Sequence, residues 1–279
     1  MKNLKYYFKK AQKGKWAIGQ FNFSNAETLK AIIQAAKKLK SPVILGTSEG
    51  ESKFFGLRQA VALANSYREK VKVPLFLNLD HGKSFSYIKK AVDAGYDTVH
   101  FDGSRLNLSR NVRIAKRVVG YARRKKVLVE GEVGAIGEAL GRKGILTDPL
   151  EAKRFITETK VDSLAVAVGN LHGIRLKGIN PKLDLKRLRE IKKKTGSFPL
   201  VLHGGSGTPR KDTKEAIKSG IVKVNINTDL RIAYTKALKK VLKKKPGENT
   251  PYKYLPAAAA AVQKVVEEKI KLFGSANKV

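Results

Sequence analysis

The sequence predicts an α/β protein: a single (β/α)8 barrel of the TIM type spanning residues 1–279, with extra helices at its C-terminal end. Three observations predict it. Short runs dense in Val, Ile and Leu alternate with amphipathic stretches, with almost no long linker between them, as parallel strands covered on both faces require. Eight such runs are present, the number that closes this barrel. His81, His172 and His203, three of only four histidines, each follow a short apolar run and are followed at once by glycine. That context is the carboxyl end of a strand turning into a loop, where barrel enzymes keep their active sites.

In chain order the predicted strands are 17–21, 43–46, 75–79, 98–101, 127–129, 163–168, 200–202 and 222–225. Amphipathic helices are expected at 27–39, 84–94, 110–124, 149–157, 183–193 and 211–219. Two more, around 231–242 and 256–273, close the barrel and offer a face to a neighbouring subunit. Alanines 257–261 strengthen helix propensity and carry no function of their own. The glycine-rich segment 131–147 is longer than most connections and reads as a mobile active-site loop.

A chain of 279 residues that is 42% hydrophobic can bury the core of such a barrel, which commonly takes about 250 residues. With no cysteine there is neither a disulfide framework nor a thiolate metal site, so any zinc must rest on histidines and carboxylates. The N-terminal residues lack the sustained apolar stretch of a signal peptide, and no run approaches membrane-spanning length. The expectation is a cytoplasmic protein with no membrane partner.

The formal charge of +35, from 58 basic against 23 acidic residues, attracts polyanions and anionic substrates. Its clusters, Arg123-Arg124-Lys125-Lys126, Lys192-Lys193-Lys194 and Lys243-Lys244-Lys245, have no interleaved aromatics, and no zinc-finger or RNP pattern accompanies them. They read as solvated outer faces of barrel helices, with no specific nucleic acid expected. A non-catalytic polyanion- or RNA-binding barrel is the contrasting reading.

Three imidazoles leave a fourth zinc position open for substrate, the pattern of a catalytic rather than a structural site. Asp80 directly precedes His81, so the two side chains are expected to leave the strand end in different directions. The histidine then takes the metal while the carboxylate faces substrate as a general acid/base. Gly204-Gly205-Ser206-Gly207 follows the seventh strand and Asn225-Ile226-Asn227-Thr228 the eighth. Loops at these two places frequently bind phosphate through backbone N–H groups.

Across nearly its whole length the chain resembles the class II, zinc-dependent fructose- and tagatose-bisphosphate aldolases. The resemblance is carried by Phe21-Asn22, Ser48 in Gly-Thr-Ser-Glu-Gly, Leu79-Asp80-His81-Gly82, Asp102-Gly103-Ser104 and Val129-Glu130-Gly131-Glu132. Further matches run through Thr147-Asp148-Pro149, 162–169, His172-Gly173, Leu202-His203-Gly204-Gly205-Ser206, 223–230 and 272–277. It implies His81, His172 and His203 as zinc ligands and Asp80 as proton donor and acceptor. It implies Gly173, Gly204, Gly205, Ser206, Asn225 and Thr228 in the site for dihydroxyacetone phosphate, with Asn22 and Ser48 supporting them at the barrel mouth. It also implies one catalytic Zn2+ per chain, an activating monovalent cation, sugar-phosphate substrates in glycolysis and gluconeogenesis, and a homodimer or larger homo-oligomer.

Three departures mark this chain. Where relatives carry a Gly-Gly-Glu-Glu-Asp type sequence, it reads Ala135-Ile136-Gly137-Glu138-Ala139-Leu140-Gly141, leaving Glu138 as the base for the carbon-bound proton. Asp102 and Glu132 fit inner positions beside the metal. The family's Asp-Pro-Arg, whose arginine reaches a neighbouring subunit's second phosphate, reads Thr250-Pro251-Tyr252. Lys177, Arg142, Lys143 and Lys253 are the candidate basic substitutes. Asn227, counted among the substrate-binding residues, stands where fructose-type relatives often have aspartate. Fructose 1,6-bisphosphate is the expected substrate, with tagatose 1,6-bisphosphate or another aldehyde acceptor as the alternative. His100 is expected inside the barrel without a ligand role.

Overall fold

The computed structural model describes residues 2–138, 141, 143–175 and 180–279. Eight parallel strands close into a barrel: β1 (Ile18–Asn22), β2 (Val43–Ser48), β3 (Leu75–Gly82), β4 (Thr98–Phe101), β5 (Leu128–Val133), β7 (Ser163–Val166), β9 (Leu200–Leu202) and β10 (Ile221–Ile226). The order around the barrel is β1-β10-β9-β7-β5-β4-β3-β2. The expected fold is present, with each barrel strand within a few residues of its predicted place. Two further two-residue strands, β6 (Gly137–Glu138) and β8 (Leu171–His172), pair with each other above it.

Alternation along β3 shows how the interior is built. Leu75, Leu77 and Leu79 join the large apolar cluster shared with the surrounding helices. Phe76, Asn78 and Asp80 face the barrel axis at successive heights, because side chains alternate between the two faces of a strand. Phe76 belongs to a second cluster with Ile18, Ile44 and Val222. Above it Asn78 donates to Gln20 at 2.8 Å, and Asp80 forms part of a polar upper layer.

The floor is sealed by α1 (Leu4–Gly14), a helix absent from the sequence-based expectation. Leu4, Tyr7, Phe8 and Ala11 are all buried, at the i, i+3, i+4, i+7 spacing of one helical face. They pack on Ile18, Ile44, Phe76 and Val222, and burying Leu4 and Phe8 contributes about 1.5–3 kcal/mol each. With the amino end plugged, any ligand must enter from the carboxyl end.

Outer helices follow the strands: α2 (Ala26–Lys38), α3 (Glu49–Phe55), α4 (Leu57–Lys70), α5 (Phe85–Ala94), α6 (Leu108–Arg124), α7 (Pro149–Thr159), α8 (Leu185–Thr195), α9 (Arg210–Lys218), α10 (Thr228–Lys244) and α11 (Pro251–Phe273). Helices α3 and α4 lie outside the sequence-based expectation; α4 buries only Ala60 and Ala64, too weak a stripe to read. The segment expected as one loop, 131–147, instead contains the end of β5, strand β6 and an antiparallel bridge between Ala135 and Ile145. Among the described residues no helix is long and apolar enough to cross a membrane.

Candidate active site

Asp80 ends the upper layer of β3, and two amides fix its carboxylate. Asn22 Nδ2 donates to Oδ2 and Asn225 Nδ2 to Oδ1, both at 3.0 Å. The following residue departs from the expectation. In a regular strand His81 would point away from Asp80, yet both line one cavity of about 140 Å3. His81 has φ 51°, in the left-handed region, and the β3–β4 register shifts between Leu79 and Gly82. That local break turns the imidazole inward beside the carboxylate. His100, fully buried as expected, accepts the His81 backbone N–H on Nδ1 at 3.2 Å and so holds the strained turn.

The nitrogens of His81 and His203 converge. His81 Nδ1 lies 2.8 Å from Asp102 Oδ2, and His203 Nε2 lies 2.7 Å from Glu130 Oε1. A carboxylate accepts a proton from each of these nitrogens, which leaves the other ring nitrogen a bare lone pair. Those two remaining nitrogens, His81 Nε2 and His203 Nδ1, face each other at 3.0 Å. Two lone pairs at that separation repel, so either a shared proton or a metal cation must lie between them. Imidazoles anchored by carboxylates are the usual surroundings of a metal.

The charges agree. Burial opposes a proton on His81, but Asp80, Asp102 and Glu132 outweigh it and push the imidazole up to about 10. The surroundings therefore favour a positive charge at this point, carried by a proton on Nε2 that a metal ion would have to displace. Burial, with His81 and His203 nearby, holds His172 down to about 3, and burial also lowers His203. Both rings are thus neutral, the state a metal ligand needs. Burial also works against ionising Asp80, Asp102 and Glu130, yet adjacent cationic groups keep all three well below the usual carboxylate range.

Atoms of Asp80, His81, His100 and His203 lie within 4.8 Å of one another, as do atoms of His81, Asp102 and Glu132. His172, at the end of β8, lines the same cavity but stands further out. Its ring centroid is 4.7 Å from that of His81 and 6.3 Å from that of His203. Glu132 Oε2 is buried without a hydrogen-bond partner; His100 Nε2 is 3.2 Å away at an unsuitable angle. An orphaned carboxylate oxygen beside His81 and Asp102 is a further sign that the donor set fits a metal cation.

Gly173, Gly204, Ser206, Asn225, Asn227 and Thr228 line the cavity, and Ser48 borders it. Gly204 has φ 63°, and a Cβ there would meet Leu171 O at 2.1 Å, so only glycine lets the chain pass beneath β8. Gly205 does not line the cavity; its N–H donates to Asn225 O at 3.0 Å, joining the two loops. Ser206 Oγ accepts from the Asp229 N–H at 3.2 Å.

Glu138 is brought beside the site by its backbone, paired in register with His172. Its side chain is exposed and absent from the cavity lining, with the carboxylate turned toward Gly141. Tyr252 is 76% exposed and faces a separate groove with Glu27 and Pro256. Of the candidate basic substitutes for the second phosphate, Lys253 pairs with Glu248 at 3.6 Å and Lys143 is exposed, neither lining the cavity. Arg142 and Lys177 lie outside the described residues.

Four residues outside the sequence-based site organise it. Glu51 accepts from Asn22 Nδ2 at 2.9 Å, the Ser48 N–H at 2.8 Å and Asn227 Nδ2 at 2.9 Å. The sequence does carry a signal for it: Ser48 and Glu51 form a capping box at the start of α3. Asn180 Nδ2 donates to Gly173 O at 2.8 Å and Ser206 O at 3.0 Å, tying two of the glycine-bearing loops together. Lys223 and Arg231 leave no local signal.

The protein-family model for class II fructose-bisphosphate aldolase matches residues 2–278. The chain is 40% identical to a fructose-bisphosphate aldolase of Geobacillus stearothermophilus, covering 99% of this chain and 98% of that protein. It is 42% identical to a probable fructose-bisphosphate aldolase of Bacillus subtilis (strain 168), covering 94% and 93%. The crystal structure of the YdjI aldolase from Escherichia coli K12 superposes with a TM-score of 0.86 at 32% identity, over 100% of this chain and 99% of that one. Barrel, site and sequence agree: the chain belongs to the class II fructose-bisphosphate aldolases, a family of lyases.

Proposed function

We propose that this chain is a zinc-dependent aldolase that reversibly cleaves a ketose 1,6-bisphosphate, fructose 1,6-bisphosphate foremost, to dihydroxyacetone phosphate and glyceraldehyde 3-phosphate. The observation that carries the reading is the pair of ring nitrogens on His81 and His203 that face each other 3.0 Å apart beside Asp80, each ring anchored by a carboxylate on its other nitrogen. His81, His203 and His172 would hold the ion. When bound, zinc supplies a Lewis acid that stabilises negative charge as the carbon next to the ketone loses its proton.

The chain's own groups do the rest. Asn22 and Asn225 orient Asp80, which is ionised and so ready to take the proton of the hydroxyl at the carbon–carbon bond being broken. Gly173, Gly204, Ser206 and the Asn225–Thr228 turn hold the phosphate of dihydroxyacetone phosphate, with Gly205 fixing the spacing of the loops. Once its side chain swings from Gly141 toward His172, Glu138 returns a proton to the carbon after cleavage and takes that carbon-bound proton in the condensing direction. Among the described residues no lysine lines the cavity, which favours metal over Schiff-base chemistry. The reading includes a cytoplasmic enzyme, room for an activating monovalent cation, and a homo-oligomer. Exposed Ile232, Leu242 and Tyr252 on α10 and α11 support self-association.

The test is exchange of the carbon-bound hydrogen of dihydroxyacetone phosphate with solvent, on zinc-loaded protein, followed by condensation with a panel of aldehydes. Exchange that is stopped by chelation and slowed by Glu138→Ala supports the reading. An unmodified protein that never exchanges this hydrogen is not an aldolase. Exchange at full rate in Glu138→Ala assigns the proton to another base, with Glu132 next in line.

A further inference from the structure

Charge is distributed unevenly along the barrel axis. The loops that lead into the strands lie at the amino end, opposite the site. Lys15, Lys40, Lys72, Lys126 and Lys160 stand exposed on those before β1, β2, β3, β5 and β7. Lys15, Lys40, Lys126 and Lys160 have φ between 47° and 58°, the left-handed region where glycine is less strained. The two acids on these loops, Asp97 and Asp162, are neutralised in place: Arg68 pairs with Asp97, and Lys5 lies 2.6 Å from Asp162. Glu49, Asp148, Asp184 and Asp229 stand instead at helix starts around the mouth.

Helix α1, which seals the floor, extends this basic face. Lys2, Tyr6 and Lys10 are four residues apart and share one side of it, while Lys5 and Lys9 share the other. A groove runs along each side. The first, of about 480 Å3, is lined by Lys2, Tyr6, Lys10, Lys72, Val73 and Pro74 among others. The second, of about 360 Å3, is lined by Lys5, Phe8, Lys9, Arg123, Lys160 and Phe198 among others. Tyr6 and Phe198 are only half-buried, so each groove shows an aromatic surface among its cations. The Lys2 and Lys10 ammonium groups lie 4.2 and 5.6 Å from the centre of the Tyr6 ring.

Helix dipoles explain part of this pattern. The carboxyl ends of the outer helices meet the floor loops, and a cation there is stabilised within the last turn. That accounts for the loop lysines. It does not account for Lys5 and Lys9, which lie in the first turns of α1 where the dipole repels a cation.

We propose that this amino-end face is a docking surface for single-stranded nucleic acid, with bases entering the two grooves beside α1 and phosphates held by the lysines around them. A basic groove with aromatic walls is the chemistry that takes single strands without regard to sequence, because every base has a face to stack. A duplex keeps its bases paired inside and leaves the aromatic walls unused. A bilayer surface needs apolar side chains that protrude, whereas Tyr7 and Phe8 are 5% and 3% exposed. The proposal does not depend on the aldolase reading. Because floor and mouth are opposite ends of the barrel, a bound strand leaves the site open.

The experiment measures fluorescence anisotropy of a labelled oligouridylate of about 12 nucleotides, within the range that one such surface covers. The comparison is between the unmodified protein, the triple variant Lys2→Gln, Lys9→Gln, Lys72→Gln, and a control triple, Lys243→Gln, Lys244→Gln, Lys245→Gln, outside both grooves. At about 50 mM salt the floor triple should bind at least about tenfold more weakly, with a salt slope smaller by about 2. The control triple should lose far less. Tyr6→Leu should weaken binding about five- to a hundredfold. Equal losses in the two triples overturn the assignment, because charge alone then acts from anywhere on the surface. So does a duplex of the same length that binds as tightly, or a stronger response to phosphatidylserine-rich vesicles, which makes the face a membrane contact. Turnover with the strand saturating should be unchanged, and competitive inhibition moves the strand to the mouth. Should Tyr6→Leu fail to fold, the floor triple decides, since all three of its lysines are exposed.

Discussion

Lys223 Nζ lies 2.7 Å from Glu130 Oε2, with both side chains about 2% exposed, while the other Glu130 oxygen holds His203 Nε2 at 2.7 Å. Lys223 is brought inside by a register irregularity of β10 between Ile221 and Lys223. The lysine keeps a buried carboxylate ionised, and that carboxylate decides which His203 nitrogen stays bare. Lys223→Met should leave Glu130 as a buried unpaired charge, costing about 3–5 kcal/mol in denaturant unfolding. Adding Glu130→Gln should recover part of that stability yet leave metal affinity about ten- to a hundredfold weaker. An unchanged unfolding midpoint in Lys223→Met contradicts this coupling.

The metal prediction follows from the facing ring nitrogens of His81 and His203. Purified protein should carry about one catalytic zinc per chain, and His203→Ala should lose both zinc and activity. Metal analysis and a chelator titration check it. Full activity after exhaustive chelation is the result that rejects a metal mechanism.

Asp80 is held by Asn22 and Asn225, one amide on each carboxylate oxygen. Asp80→Ala should therefore keep zinc while turnover falls about two to four orders of magnitude. Turnover equal to the unmodified enzyme reduces Asp80 to an orienting role.

A left-handed backbone at a non-glycine residue costs about 1–3 kcal/mol and persists only when its surroundings enforce it. At His81 the contacts that hold it are the backbone hydrogen bond to His100 Nδ1 and the pairing of its ring with Asp102. His100→Leu removes the acceptor and should weaken zinc binding about ten- to a hundredfold in chelator competition. His100→Asn, whose amide oxygen can take the place of Nδ1, should restore most of the affinity. Equal affinities for the Leu and Asn variants assign His100 to packing alone.

The charge of +35 sits largely in exposed lysine and arginine clusters on the outer helices. Binding to mixed RNA should be weak and fall at least about a thousandfold between about 50 and 200 mM salt, as expected for unshaped counterion release. Sequence-selective, submicromolar binding at physiological salt revives the polyanion-binding reading. Filter binding at several salt concentrations decides between them.

Much of the site is legible in the sequence because strand-end chemistry is local. Asp80, His81, His172 and His203 announce themselves as polar residues between an apolar run and a glycine. The spacing of Leu4, Tyr7, Phe8 and Ala11 also records α1, though the lysines crowding that stretch mask the pattern. What is not legible joins distant positions. Lys223 and Glu130 are 93 residues apart, and Glu51 and Asn227 are 176 apart.

Local sequence suffices for the barrel, the succession of its strands along the chain and the residues at the strand ends. Periodicity and composition state which face of each segment must be buried, and the turns state where each segment stops. Three-dimensional closure was needed to settle that Asp80 and His81 face the same cavity, that His100 sits against His81, and that Arg231 rather than Tyr252 borders the site. Those outcomes depend on one left-handed residue, two register shifts and the meeting of α10 with the barrel mouth. Each arises from closing eight strands on one another, a condition that couples residues across the whole chain and leaves no trace in any short stretch of it.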